Sequence, residues 1–121
     1  MARIPDESIT PAELEALFIR LSREIEEVTD RLEADEQELS DAQSIYEIER
    51  ARVLTGLARD GVRRNIAVLN AEVLLECQVS AEAVCACELL VESDKRKIAQ
   101  VKYQIDIARS LAAAMRAAME L

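Results

Sequence analysis

Histidine and tryptophan are absent from this chain, and glycine and proline occur only twice each in 121 residues. Without histidine there is no imidazole to act as a general base near neutral pH, and the glutamate-x-x-histidine element of di-metal helical bundles cannot be built. No glycine-rich phosphate loop exists either. Abundant carboxylates alone give no pairing of an acid with a base, so neither catalysis nor a cofactor nor a small-molecule substrate is expected. Scarce turn residues mean few, long elements. Aromatic side chains are limited to Phe18, Tyr46 and Tyr103, too few bulky groups to fill a compact globular core. No run of 18 apolar residues occurs, and Met1 to Asp6 lacks the apolar stretch of a signal peptide, so the expectation is a cytoplasmic protein with no membrane span.

Cysteine is sparse as well: Cys77, Cys85 and Cys87. An odd number of thiols without histidine fits neither a disulfide framework nor a mixed zinc site. Cys85 and Cys87 would point about 200° apart on a helix and could not hold one ion together. They read as small buried thiols.

What the chain does contain is alanine, leucine, glutamate and arginine, a composition that favours helix. The formal net charge is −9. Residues 1–60 hold 16 acids and 7 bases, whereas residues 61–121 hold 8 of each. Between Glu24 and Asp41 nine acids stand against Arg31 alone.

Residues 1–9 read as a flexible arm. A helix then starts with Thr10 as N-cap, Pro11 at the first helical position, Glu13 completing a capping box, and Ile9 with Leu14 as hydrophobic staple. From there Phe18, Ile25, Leu32, Leu39, Tyr46 and Val53 recur every seven residues, accompanied by Leu14, Leu21, Val28, Asp35 and Ala42. This is the a/d seam of a coiled coil, degraded at Asp35 and Glu49. Asp60-Gly61 marks a turn. A second helix repeats the logic with Cys77, Val84, Val91, Ile98, Ile105, Ala112 and Met119, and a companion column Val73, Ser80, Cys87, Asp94, Val101, Ala108 and Met115. Ile66, Leu69 and Val73 approach this seam by a four-residue step, a stutter. Helix 1 is thus expected over about 10–60 and helix 2 over about 62–119, with Ser80 and Ser93-Asp94 as places where helix 2 would break.

The expected fold is all-α: a long antiparallel helical hairpin spanning residues 10–121 and assembling into a homo-oligomeric helical bundle. Closure at Asp60-Gly61 sets residue i near residue 121 minus i, placing Leu32 near Leu89, Phe18 near Tyr103, and Glu24, Glu26 and Glu27 beside Lys95, Arg96 and Lys97. Between Ala71 and Val91 the second helix is apolar around most of its circumference and calls for neighbours on most sides. Val73, Leu74, Val84, Val91, Ile98 and Ile105 are the expected oligomer core.

Two charged surfaces are candidates for partners. Lys95, Arg96, Lys97 and Lys102, with Arg63 and Arg64 by the turn, are candidate nucleic-acid contacts, although pairing with Glu24, Glu26 and Glu27 competes for the first group. Glu26, Asp30, Glu33, Glu36 and Glu38 form a candidate acidic face for a protein partner. As a solvated outer face it keeps the particle soluble; as a rod of carboxylates it imitates a nucleic-acid backbone.

The segment Tyr103-Gln104-Ile105-Asp106-Ile107-Ala108-Arg109-Ser110-Leu111, with Tyr46 before the turn and the long helical pair between, resembles small bacteriophage coiled-coil proteins. More distantly it is similar to the phage recombination-mediator family. The likeness covers residues 14–119 and implies a homo-oligomer that binds single-stranded DNA and contacts a recombinase, in a bacterial host cytoplasm. The chain departs from that family in being acidic and short of lysine. The sequence expectation is therefore a non-enzymatic phage-type accessory protein of DNA recombination or replication. Two alternatives stand beside it: an acidic inhibitor that mimics nucleic acid before a host nuclease or defence enzyme, such as an anti-CRISPR, and a structural coiled-coil assembly or scaffold protein.

Overall fold

A computed structural model describes residues 9–120; of the expected arm at residues 1–9, all but Ile9 lie outside them. The described chain is all-α, with α1 at Pro11–Arg59, α2 at Ile66–Glu76 and α3 at Gln78–Glu120. None of these helices is long and apolar enough to cross a membrane.

The start of α1 is built as its capping signals require. The Thr10 hydroxyl accepts from the Glu13 amide at 3.2 Å, the Thr10 carbonyl accepts from the Leu14 amide at 2.9 Å, and Ile9 packs onto the cluster that holds Leu14. Hydroxyl residues inside α1 stay helical by donating to the carbonyl one turn back, as Thr29 does to Ile25 at 2.6 Å and Thr55 to Ala51 at 2.8 Å.

The helix ends at Arg59, and Gly61 follows with φ of 76°, a conformation that costs a side chain Cβ strain but glycine none. Asp60 accepts from the Val62 amide at 2.9 Å, closing an Asx turn. The connection is longer than the two-residue turn expected from sequence: α2 begins only at Ile66, capped by Asn65, whose side chain accepts from the Val68 amide at 2.8 Å.

The expected single second helix is two. The break falls at Cys77, at φ −102° and ψ 17°, and not at Ser80 or Ser93, through both of which α3 runs unbroken. The Cys77 amide closes α2 by donating to the Val73 carbonyl at 3.0 Å, and the Cys77 carbonyl opens α3 by accepting from the Ala81 amide at 2.9 Å. The break thus sits about one turn beyond the four-residue step from Leu69 to Val73, where the seam changes phase.

The chain divides into two compact units: Met1–Arg31 with Asp94–Leu121, and Leu32–Ser93. In the first, Leu14, Leu21, Val101 and Ala108 form the buried cluster, with Leu17, Phe18, Ile25, Ile105, Leu111, Ala112 and Met115 packed on it. All but Leu17 and Leu111 belong to the two heptad columns of each helix, so burial follows the seam read from sequence. Phe18 joins this core, but Tyr103, its expected partner, is exposed. Glu24 and Lys97 are paired at 3.0 Å, in the register of 121 minus i.

In the second unit Val73, Cys77, Ser80 and Val91 are buried. Ser80 donates to the Glu49 carboxylate, eight residues away from the partner that the sequence register assigns. Leu89, expected to meet Leu32, is exposed.

Candidate interaction surfaces

Arg64 does not belong to a free basic site. Its guanidinium contacts Asp60 at 2.5 and 2.8 Å, Glu72 at 2.6 Å and the Leu57 carbonyl at 3.2 Å, clasping the end of α1, the connection and α2. The Asp60 carboxyl is held down at about 2, chiefly by the hydrogen bond from Arg64 and then by the Val62 amide. The same contact raises the pKa of Arg64 well above its ordinary value. Arg63, beside it, is exposed.

In the first unit Lys97 is engaged by Glu24, while Lys95, Arg96 and Lys102 are exposed and have no ion pair among the described residues. The structure adds two residues that a search for local clusters misses. Lys95, Lys102, Arg109 and Arg116 stand at seven-residue intervals, immediately after the core positions Asp94, Val101, Ala108 and Met115. They form one basic edge along α3, about 32 Å from end to end. The corresponding edge of α1, immediately after Leu14, Leu21 and Val28, is Glu15, Ser22 and Thr29, so two of its three positions bring no carboxylate. Arg109 reaches Asp106 at 3.8 Å, a long contact between two well-exposed side chains that neutralises little. Heptad spacing was the signal that would have found this edge. At its far end Arg109 and Arg116 flank an apolar cleft of about 480 Å³ over Leu14, Phe18, Ala112 and Met115.

The acidic candidates Glu26, Asp30, Glu33, Glu36 and Glu38 are all exposed and form no ion pair with one another or with a base among the described residues. Glu26 and Asp30 belong to the first unit, and Glu33, Glu36 and Glu38 to the second. By unit the charge divides nearly as it does by halves of the chain. Residues 32–93 carry 13 acids and 5 bases, against 11 and 10 in the remainder.

Of the expected oligomer core, Val73 and Val91 are buried and Val84, Ile98 and Ile105 half-buried. These side chains are used inside the chain's own fold. Only Leu74 stands out, at 56% exposure. The unpartnered apolar surface comes from other positions. Val68, Leu75, Val79 and Leu90 are exposed; Val68 and Leu75, seven apart, share a face of α2, and Val79 and Leu90, eleven apart, share a face of α3. Ala83 and Ala86 lie on it too. This face points away from Val73, Cys77, Ser80 and Val91, and Val79 at 83% exposure is its most prominent point.

The thiols do not behave alike: Cys77 is buried, Cys87 half-buried and Cys85 exposed, which corrects the reading of all three as buried. No group of three potential metal ligands is found among the described residues. No protein-family model, curated protein or solved structure matches the chain.

Proposed function

We propose that this chain is a non-enzymatic helical docking protein, of the structural coiled-coil assembly class, which works by presenting a helix face to another helix. The observation that carries this is the apolar line Val68, Leu75, Val79 and Leu90, turned away from the core that α2 and α3 share with α1. Contiguous apolar surface of this kind on a folded chain marks an interaction site. The buried seam supports it by exclusion, since Val73 and Val91 are already taken up internally. A photo-crosslinking amino acid at position 79 or 90, in the producing cell, is expected to give a discrete crosslinked species. The same group at exposed Ser44 of α1 serves as control. Absence of any crosslink from positions 79 and 90 sinks the reading.

A second reading, the recombination or replication accessory that binds single-stranded DNA, is favoured by the basic edge Lys95, Lys102, Arg109 and Arg116. A line of unneutralised bases on an otherwise acidic chain suits a polyanion. Against it, Arg64 and Lys97 are occupied, and Tyr103 is the one aromatic on α3 for base stacking. Titration with single-stranded DNA at low and moderate salt decides: salt-sensitive binding weakened by Lys102→Gln with Arg109→Gln supports it, and no binding at low salt removes it.

A further inference from the structure

The docking face on α2 and α3 carries a charge signature that specifies its partner. From Asn65 to Asp94 the chain has no lysine or arginine, while Glu72, Glu76, Glu82, Glu88, Glu92 and Asp94 are all acidic. Glu72 is neutralised by Arg64. By helical spacing Glu76 flanks the apolar residues of α2 and Glu82 those of α3. Both are exposed, and neither has an ion-pair partner among the described residues; Glu82 accepts only from the Gln78 amide nitrogen, at 3.0 Å. The apolar line covers about 11 Å of α2 from Val68 to Leu75 and about 17 Å of α3 from Val79 to Leu90.

We infer that the occupant of this face is a basic amphipathic helix of another protein, with an apolar stripe flanked by lysine or arginine. The inference rests on the docking reading above and adds the partner's chemistry. A second copy meeting the same face through a two-fold axis would set Glu76 and Glu82 against their own equivalents, with no base within the segment to relieve them. Like charges flanking a helical seam select against that pairing, and opposite charges select for the other. The apolar line supplies the attraction and the flanks supply the choice.

The test uses the full chain and two synthetic 22-residue helical peptides with identical leucine stripes, one flanked by lysine and the other by glutamate. The lysine peptide is expected to bind wild type, to weaken about tenfold or more between low and moderate salt, and to leave the glutamate peptide unbound. The variant Val79→Gln/Leu90→Gln alters only exposed or half-exposed side chains, so its circular dichroism and melting stay those of wild type. It is expected to bind the lysine peptide at least about tenfold more weakly, through lost apolar contact. Equal binding of both peptides, or equal binding of the lysine peptide by wild type and variant, overturns the inference. Sedimentation of the chain alone separates the two levels. A dimer that the double variant dissociates overturns the basic partner but keeps helix docking; a monomer that binds neither peptide overturns the basic partner, and with no crosslink from position 79 it removes docking as well.

Discussion

The Ser80 hydroxyl donates a hydrogen bond to the Glu49 carboxylate, joining the two polar interruptions that α3 and α1 bring to their seams. Ser80 is buried and also lies 3.1 Å from the Cys77 carbonyl, whereas Glu49 keeps access to water. Truncating Ser80 to alanine is expected to cost about 1 kcal/mol, the lower range for a hydrogen bond to a charged group because the carboxylate can return to solvent. Urea denaturation of Ser80→Ala, Glu49→Ala and the double variant gives the coupling directly. A coupling indistinguishable from zero means that the two residues merely sit side by side.

Leu21 is 1% exposed at the centre of the first unit's core, and Ile19, two residues away, is half exposed. Leu21→Ala is expected to destabilise by about 2–5 kcal/mol through lost transfer energy and a residual cavity. Ile19→Ala is expected to stay within about 0.5 kcal/mol. Similar losses in thermal unfolding would place the buried face of α1 elsewhere.

The two glycines are expected to respond in opposite directions. Gly56 is exposed within α1, with open space where a Cβ would go, so Gly56→Ala should stabilise by roughly 0.5–1 kcal/mol. Gly61 has equal space but φ of 76°, so Gly61→Ala should destabilise by about 1 kcal/mol. Matched melting curves settle both, and a stabilising Gly61→Ala contradicts the left-handed turn.

Asp60 titrates at about 2 in the folded chain against an ordinary 3.8, because Arg64 and the Val62 amide hold its charged form. A depressed carboxylate contributes its full stabilisation above the unfolded pKa and loses it as pH falls through the folded one. The advantage in melting temperature of wild type over Arg64→Ala should therefore be steady above about pH 5 and shrink between about pH 4 and pH 2. An advantage that does not change with acidification would show that the Asp60 pair adds nothing.

Much of the fold was written in heptad spacing. Leu14, Leu21 and Val28 belong to one column read from sequence and are the three buried residues of α1. The Thr10 cap and the glycine turn were equally plain, because each rests on chemistry local to a few residues. The break at Cys77 was not, since neither glycine nor proline marks it; only the change of seam phase beside it hinted at strain. Ser80 drew suspicion as a polar residue in a core column, and no local rule shows that Glu49 from another helix would satisfy it. The surfaces were harder still. Apolar abundance between Ala71 and Val91 signalled a need for neighbours, but which residues face inward depended on where α1 lies. The basic edge of α3 escaped because its members are seven residues apart and form no run.

The joint at Cys77 also equips the chain with a clock. Cys77 is 1% exposed where α2 gives way to α3, whereas Cys85 is open to solvent. A thiol reagent added to the folded chain modifies Cys85 at the rate of an accessible group and Cys77 only when the structure around the joint parts. The ratio of the two rates measures how often α2 separates from the helices beneath it, so the protein reports its own local opening without any added label.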